Sequence, residues 1–273
     1  MTGPATYTAE VDLLSLYDAE LRGRLPDRLP DGVRFERDGP LIRYFGFFGP
    51  STGFVGYRDL GGVEGAELDA LIARQIQVFG SRGDRFEWKL YGHDRPADLP
   101  ERLQAAGFRP EQRETVVIAR VDRVAGTPVL PAGVVLREVR ERADLERIAA
   151  LEESVWNEAH AWLPDALGTE LATDPEGLSI VVAEADGTVV CAAWIRFELG
   201  TRFATLWGGV TLPAWRGRGI YRATVVFRAD LAARRGFELL EVDASDDSRP
   251  ILERLGFVPV TTTTPYIWSP PRT

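Results

Sequence analysis

The chain has 273 residues, of which 45% are hydrophobic, so it is long enough for one large globular domain or two ordinary ones. Its formal net charge of −9 argues against nucleic acid as a partner, because binding to a phosphate backbone needs a concentrated basic surface. The N-terminal segment lacks a basic start followed by an apolar run, and no stretch approaches the roughly 18 unbroken apolar residues of a membrane span. The sequence therefore predicts a soluble, cytoplasmic protein without a membrane partner.

Cysteine and histidine usage limits the chemistry further. Cys191 is the only cysteine, which excludes an intrachain disulfide and a cysteine-rich zinc site. It lies in the apolar run TVVCAAWIRF, which is typical of a buried strand. The two histidines, His93 and His160, lie far apart and make no metal-ligand spacing. No metal is predicted.

The first half of the chain begins with a predicted amphipathic helix over residues 7–25. A second helix is predicted over 66–83. The segment 85–108, RFEWKLYGHDRPADLPERLQAAGF, has the pattern of a strand, a polar turn and a leucine-rich helix. The segment 122–133, DRVAGTPVLPAG, has prolines, glycines and little periodicity, and is predicted to be a linker.

The second half alternates strands and helices. A strand is predicted over 134–139, a helix over 141–156, and a hairpin over 178–199 that turns at Asp186-Gly187. The remaining predicted elements are a strand over 202–212, a helix over 219–235 closed by Gly236, a strand over 237–245, a short helix over 248–255 and one or two strands within 256–268. This order predicts an α/β layer with a mixed sheet.

The two halves share a pattern. The segment 85–108 and the segment 236–257, GFELLEVDASDDSRPILERLGF, each contain a Phe-Glu strand, a polar turn with Arg-Pro, a leucine-rich helix and a terminal Gly-Phe. The helices that precede these segments correspond as well. The sequence therefore predicts an internal repeat whose first copy is degenerate.

The loop before the predicted helix 219–235 has the composition of an anion site. In TLPAWRGRGIYRA, a strand end is joined to a helix start, where backbone N–H groups lie at the positive end of the helix dipole. Gly217 and Gly219 lack side chains that would hold a phosphate away, and Arg216, Arg218 and Arg222 add positive charge. Neither a Walker loop nor the G-x-G-x-x-G dinucleotide fingerprint is present.

With its neighbours, this stretch resembles the GNAT superfamily of acetyl-CoA-dependent N-acyltransferases. The resemblance covers about residues 130–270 and includes the order of the elements, from VTLPAWRGRGIYRATV to ILERLGF. The turn of that family, Arg/Gln-x-x-Gly-x-Gly/Ala, is matched at Arg216 and Gly219, whereas Tyr221 stands at the position of the last small residue. The resemblance implies an α/β fold of two tandem GNAT-like domains, each a mixed, mostly antiparallel sheet flanked by helices, with a degenerate domain over 1–125 and an acetyl-CoA-binding domain over 126–273.

The resemblance also implies how the cofactor is held. The backbone at the end of strand 202–212 would bind the pantetheine arm, with an N–H near Val210 directed at the thioester carbonyl, and residues 216–222 would hold the pyrophosphate. The cofactor-binding residues implied in this way are Gly209, Val210, Thr211, Arg216, Gly217, Arg218, Gly219, Ile220, Tyr221, Arg222 and Ser245. An amine of a small molecule or of a protein would then attack the thioester directly. We expect the ring of Tyr221 to point away from the phosphates.

The first copy differs from the second at the corresponding loop. DLGGVEGAELD (59–69) keeps three glycines but supplies Glu64, Glu67 and Asp69 in place of the arginines. Carboxylates at this place would repel a pyrophosphate. We therefore expect only the second domain to bind the cofactor, and the first to be a scaffold, or a wall or lid of the acceptor pocket.

The groups that transfer protons are less well defined. The GNAT family often uses a tyrosine acid four residues before the glycine of the Leu-Gly-Phe segment, and that position is Leu252 here. Tyr266, on a predicted late strand, is a possible replacement. Glu158, His160 and Glu198 are candidate bases, with a solvated surface charge as the alternative for each and ordered water as an equally credible route for the proton.

Three functions compete at this point. The leading one is an acetyl-CoA-dependent N-acetyltransferase, and the missing tyrosine keeps open a non-catalytic acyl-CoA-binding sensor or interaction module. A nucleotide-binding transferase such as a kinase is disfavoured because no acidic metal-binding motif is recognisable. The oligomeric state is left open, since tandem domains could replace the contact of a homodimer.

Overall fold

The computed structural model describes residues 12–25, 28, 29, 31–46, 49 and 51–271. The elements of the first half are α1 (Leu13–Glu20), β1 (Arg34–Asp38), β2 (Leu41–Phe45), β3 (Thr52–Gly56), α2 (Gly65–Ser81), β4 (Arg85–Tyr91), α3 (Leu99–Ala105), β5 (Arg109–Pro110), β6 (Glu114–Arg120) and α4 (Val121–Val124). Helix α1 lies within the predicted helix 7–25, of which residues 7–11 lie outside the described residues.

The second half continues the alternation. Its elements are β7 (Val134–Val139), α5 (Arg142–Trp156), α6 (Leu163–Thr173), β8 (Leu178–Ala185), β9 (Thr188–Phe197), β10 (Phe203–Thr211), a short 3₁₀ helix (Pro213–Trp215), α7 (Ile220–Arg234), β11 (Leu239–Ala244), α8 (Arg249–Arg254) and β12 (Val258–Trp268). The predicted hairpin forms, and its turn has positive φ angles at Asp186 and Gly187. Gly236 follows α7 with a φ of +80°, as predicted for a helix end.

All twelve strands in the described residues belong to one sheet. Its order is β1-β2-β3-β4-β12-β6-β11-β10-β9-β8-β7, and β5 pairs with β12 outside this path. Among these strands the parallel pairs are β3–β4 and β10–β11, each connected by a crossover helix, α2 or α7. The other pairs are antiparallel. Two copies of one mixed, mostly antiparallel unit therefore stand side by side, which confirms the predicted fold class.

The two copies exchange strands at the centre of the sheet. Strand β6, from the first half, pairs with β11 of the second half. Strand β12, from the end of the chain, lies between β6 and β4. The domain boundary predicted between residues 125 and 126 stays a prediction, because the shared sheet crosses it.

Each half builds its core around its crossover helix. In the first half, α2 and α3 cover β2, β3 and β4, and Tyr266 and Trp268 of β12 complete this core. In the second half, α7 packs on one face of β9, β10 and β11. Helices α5 and α6 pack on the other face, where Leu145, Ile148 and Ala149 of α5 are buried at helical spacing. The end of β10 thus lies between two packed layers.

Two local features differ from the sequence prediction. The predicted linker 122–133 begins inside the helical turn α4, whose Val121 and Val124 are buried in the same core as α7. Helix α6 was not delimited by the pattern, because Gly168 lies in its interior and its apolar residues follow the helix period over only a short span.

Candidate functional site

The candidate site lies where two parallel strands separate. Strand β10 pairs with β11 only over Phe203–Thr205, opposite Leu239–Glu241. Beyond Thr205, β10 pairs with β9 alone, while β11 pairs with β6. The end of β10, which includes the predicted pantetheine-binding residues 209–211, therefore borders an opening in the sheet.

A β-bulge interrupts β10 beside this opening. The register with β9 shifts between Gly208 and Val210, and Gly208 and Gly209 have φ angles of +67° and +94°. Both angles lie in the left-handed region that favours glycine. A bulge takes backbone groups out of the regular ladder of hydrogen bonds, so it can direct an N–H group at a ligand.

The arginine-glycine loop, residues 216–222, follows β10 after the 3₁₀ helix. Gly217 and Gly219 have φ angles of +71° and +81°, and Gly219 is the N-cap of α7. No side chain caps this helix start. The first N–H groups of α7, from Ile220 onward, are therefore left for a ligand at the positive end of the helix dipole.

The three arginines of this loop are exposed. In the part of the chain that the structure describes, Arg216, Arg218 and Arg222 form no ion pair with a carboxylate. The Nε atom of Arg216 donates to the carbonyl oxygen of Thr211 at 3.1 Å, and the Arg218 guanidinium lies 4.8 Å from the centre of the Trp215 ring. Unpaired guanidinium groups around an uncapped helix start suit a polyanion.

The corresponding loop of the first half carries acidic residues, and an arginine of the first half already binds it. Glu64 is the N-cap of α2 there. Arg102 of α3 donates to the carbonyl oxygen of Gly65 at 3.1 Å and to Oδ1 of Asp69 at 2.7 Å. The contrast predicted from sequence between the two loops is thus present in the structure, while the cofactor assignments themselves stay predictions.

Tyr221 and Ser245 lie on two sides of the opening. The ring of Tyr221 points back to the strand end, because a Cβ built on Gly209 would lie 2.6 Å from Cε2 of this ring. Ser245 directly follows β11, and its Oγ lies 3.2 Å from Oγ of Ser248. Burial raises the pKa of Tyr221, whereas the charge of Arg228 and hydrogen bonding with Ser248 lower it.

Arg228 of α7 was not singled out by sequence. Its side chain is buried, with 1% of the residue exposed, and no carboxylate contacts it among the described residues. Its Nη1 donates to the carbonyl oxygens of Trp194 and Trp207 at 2.9 and 3.1 Å, and its Nε donates to the carbonyl oxygen of Thr224 at 3.1 Å. A buried cation is thus held directly behind the bulge of β10.

Glu198, a candidate base, lies on the face of the sheet opposite to α7. Its Oε1 accepts from Oγ1 of Thr205 at 3.2 Å, and its Oε2 forms an ion pair with Arg24 at 3.0 Å. Nε1 of Trp207 donates to the same Thr205 hydroxyl at 2.8 Å. Burial raises the pKa of Glu198, while Arg24 and Arg196 lower it.

A cavity of about 910 Å³ opens beside Glu198. Segments of both halves line it: the first half contributes Arg24 and Gly49, and the second half contributes α6, the end of β9 and Trp207 in the middle of β10. Its aromatic lining residues are Trp162, Trp194, Phe197 and Trp207. Trp207 lines this cavity from β10, the strand that carries the bulge, and residues of the first half line another side of it. The prediction that the first half is a wall of the acceptor pocket stays a prediction.

Glu158 and His160 lie outside the lining of this cavity, in the loop between α5 and α6. Glu158 is exposed, and its carbonyl oxygen lies 2.9 Å from Nδ1 of His160. The backbone N–H of His160 donates to Oε1 of Glu153 at 2.9 Å. Trp162, two residues further on, does line the cavity, so this loop reaches the cavity through its tryptophan.

The structure does not bring Tyr266 to the opening. It lies on β12, opposite Trp88 of β4, and is buried in the core of the first half. Burial raises its pKa. The acid role predicted for it stays untested, but its placement separates it from β10.

Two acidic residues of β11 were missed. Glu241 and Asp243 alternate along the strand, which places both on the face that also carries Thr205. Glu241 is only 6% exposed, and burial together with Asp243 raises its pKa well above the usual range. Lys89 forms an ion pair with Asp243. The alternation of acids within the predicted strand 237–245 is the signal that could have identified them.

Residues 12–25, 28, 29, 31–46, 49 and 51–271 contain no group of three or more His, Cys, Asp or Glu side chains that could hold a metal ion. Within the same residues, no helix is long and apolar enough to cross a membrane.

Residues 138–257 match the sequence model of the Acetyltransferase (GNAT) family. Among solved structures, a GCN5-related N-acetyltransferase from Kribbella flavida is 18% identical with a TM-score of 0.63, over 88% of this chain and 90% of that one. One from Sphaerobacter thermophilus is 14% identical with a TM-score of 0.59, over 89% and 84%. A tandem GNAT protein from the clavulanic acid biosynthesis pathway is 15% identical with a TM-score of 0.62, over 96% and 95%. No curated protein matches the sequence significantly.

The segment 138–257 is therefore similar in sequence to the Acetyltransferase (GNAT) family. The structural similarities extend over nearly the whole chain and establish a tandem GNAT fold.

Proposed function

We propose that this protein transfers an acetyl group from acetyl-CoA to an amine, by direct attack of the amine on the thioester in a ternary complex. The observation that carries the proposal is the arginine-glycine loop. Three exposed arginines without carboxylate partners among the described residues surround an uncapped helix start. The equivalent loop of the first half has carboxylates in place of these arginines, and one of them, Asp69, binds Arg102. Only the second half offers a pyrophosphate site.

In this proposal the cofactor runs from the loop to the bulge. The pyrophosphate binds Arg216, Arg218 and Arg222 and the N–H groups of residues 217–221. The pantetheine arm follows Gly209–Thr211 along the open edge of β10. The thioester carbonyl accepts from an N–H at the bulge, and a preorganised donor of this kind contributes about 3–4 kcal/mol to lowering the barrier. Ser245 lies across the opening from that position.

The acceptor amine occupies the cavity between the two halves in this proposal. Its aromatic walls suit an apolar or cationic small molecule, and Glu198 is a carboxylate in the wall of this cavity, hydrogen-bonded to Thr205 of β10, that can accept the proton of an ammonium group. Because its pKa is raised by burial, Glu198 is a stronger base than a solvated carboxylate. Holding the amine next to the thioester contributes further rate by proximity.

Titration calorimetry with acetyl-CoA tests the loop. The double variant Arg216→Ala plus Arg218→Ala should bind at least about tenfold more weakly, because a hydrogen bond to a charged group contributes about 1.5–3 kcal/mol. Arg234→Ala plus Arg254→Ala is the matched control, since it removes the same charge from exposed positions on α7 and α8. Equal affinities for the two double variants, both folded, would remove the loop from the site.

Thiol release from acetyl-CoA with a panel of amines tests the transfer itself. Acetylated product and an equal amount of free thiol are the expected result. The absence of the family tyrosine at Leu252 favours a second candidate, an acyl-CoA-binding sensor. Tight acetyl-CoA binding without thiol release for any amine would support the sensor and contradict the transferase.

A further inference from the structure

Tyr221 departs from the GNAT turn, and its ring occupies a specific place in the opening. The ring lies against Gly209, whose φ of +94° and missing side chain leave room for it. A Cβ at this position would come within 2.6 Å of Cε2 and 3.7 Å of Cζ of the ring. The first turn of α7 therefore presents its tyrosine to the strand end, next to the proposed position of the thioester.

The side chain of Tyr221 also reaches the start of α8. Ser248, the N-cap of α8, lowers the pKa of Tyr221 by hydrogen bonding, and its hydroxyl oxygen lies 3.2 Å from that of Ser245. Leu252, one turn further along α8, is fully buried in the core against which Tyr221 packs. Tyr221 thus approaches the same region from α7 that a tyrosine at position 252 would approach from α8.

The buried guanidinium of Arg228, which lies behind the bulge of β10, faces Tyr221. Arg228 lies seven residues after Tyr221, two turns further along α7, and is buried without a carboxylate partner among the described residues. Tyr221 and Cys191 are the titratable groups that face it. Its cation stabilises negative charge on the Tyr221 oxygen. Burial outweighs this effect, so the pKa of Tyr221 is raised and its hydroxyl carries its proton at neutral pH.

We propose that Tyr221 is the acid that protonates the departing coenzyme A thiolate, and that Arg228 is a positioning residue that fixes the bulge and stabilises the tyrosinate. This proposal rests on the proposed function. The amine nitrogen forms a bond to the thioester carbon, the carbon–sulfur bond breaks, and the sulfur takes the electron pair and the proton of the Tyr221 hydroxyl. The proton lost by the amine goes to Glu198 or to water. Solvent returns a proton to the tyrosinate through the Ser248 and Ser245 hydroxyls.

The test compares Tyr221→Phe with Tyr57→Phe, which removes the same hydroxyl from a buried tyrosine in the core of the first half, where it donates to Oδ2 of Asp94 at 2.6 Å. The assay uses acetyl-CoA and the amine that gives the fastest thiol release with the wild-type protein. We expect Tyr221→Phe to lower kcat on the order of 100-fold, as for loss of a general acid, with affinity for coenzyme A within about twofold. Tyr57→Phe, checked for folding by circular dichroism, should keep kcat.

A pH profile separates an acid from a structural role. The wild-type kcat should fall at high pH as Tyr221 ionises, and this alkaline limb should be absent from Tyr221→Phe. Arg228→Met, checked for folding by circular dichroism, should move the limb to higher pH because the stabilising cation is gone. A Tyr221→Phe variant with kcat within threefold of the wild type, or with an unchanged alkaline limb, would overturn the proposal for Tyr221 alone. A wild-type protein that releases no thiol with any amine would overturn the transferase function, and the acid role with it.

Discussion

The ring of Tyr221 lies directly beside the α-carbon of Gly209, so that a Cβ at this glycine would come within 2.6 Å of Cε2. This contact joins the first turn of α7 to the bulge of β10. It also explains why a large residue is accommodated at the position where the GNAT turn has a small one: the ring fills space that a glycine on the strand leaves open.

The contact predicts an unusually costly substitution at Gly209. Any residue other than glycine costs about 1–2 kcal/mol at a left-handed φ, and overpacking against the ring should add about 1–3 kcal/mol for Gly209→Ala. Gly236→Ala is the matched control, because Gly236 also has a positive φ of +80° but nothing lies within 4 Å of a Cβ there. Urea unfolding measures both variants. Equal losses of stability would contradict the ring contact.

The pH dependence of acetyl transfer should respond to Arg24. The Arg24 cation lowers the pKa of the buried Glu198 carboxyl, so Arg24→Met should raise that pKa. A base with a raised pKa is protonated at higher pH, and the acid limb of kcat/KM should therefore move to higher pH. Arg28→Met is the control, since Arg28 also lines the cavity but contacts the carbonyl oxygen of Thr173. A limb that moves equally in both variants would show that Glu198 is not the group that titrates.

Glu114 on β6 should make the fold less stable as the pH rises. Burial and the neighbouring Asp243 raise its pKa to about 7, whereas an unfolded glutamate has a pKa of about 4.3. The folded state therefore holds the proton more tightly, and its stability falls between about pH 4 and pH 7 as this proton is lost. Glu114→Gln removes the effect, so it should stabilise the protein at pH 8 by about 1–3 kcal/mol and have little effect at pH 4.

Urea unfolding at several pH values measures this difference for Glu114→Gln. Glu67→Gln, which changes an exposed carboxylate on α2, serves as the control and should show no such growth with pH. A constant difference between Glu114→Gln and the wild type from pH 4 to pH 8 would mean that folding does not raise the pKa of this carboxyl.

The thiol of Cys191 should be inert in the native protein. It is fully buried on β9, and burial raises its pKa to about 11. The hydroxyl of Thr211 donates to its sulfur at 3.2 Å. An aromatic disulfide reagent should therefore modify no thiol at pH 8 in the folded state and one thiol per chain in denaturant. Rapid modification of the native protein would contradict this packing.

The elements of the second half could be predicted because their signals are local. Asp186-Gly187 specifies its hairpin turn, Gly236 ends α7, and the arginine-glycine loop carries its chemistry within seven residues. The contrast between the arginines of this loop and the carboxylates of the corresponding loop in the first half could also be predicted from the sequence. It follows from aligning the two loops and does not depend on packing.

The parts that could not be predicted depend on contacts distant in sequence. The exchange of β6 and β12 places Tyr266 in a core built mainly from residues 41–108, and no local pattern in β12 indicates that partner. Arg228 has the sequence context of an ordinary helix arginine, and only the bulge of β10 shows what it binds. The contact of Tyr221 with Gly209 likewise required the path of both backbones.

The exchange of strands has a consequence for biosynthesis. The core of the first half is completed by Tyr266 and Trp268, which the ribosome adds more than 150 residues after Phe108 of the same core. The first half therefore cannot complete its core while it emerges from the ribosome. Its apolar residues stay partly exposed until β12 has been synthesised. We expect the nascent chain to depend on a chaperone during that interval, and a chain cut at residues 125–126 to yield two fragments that fold only when they meet.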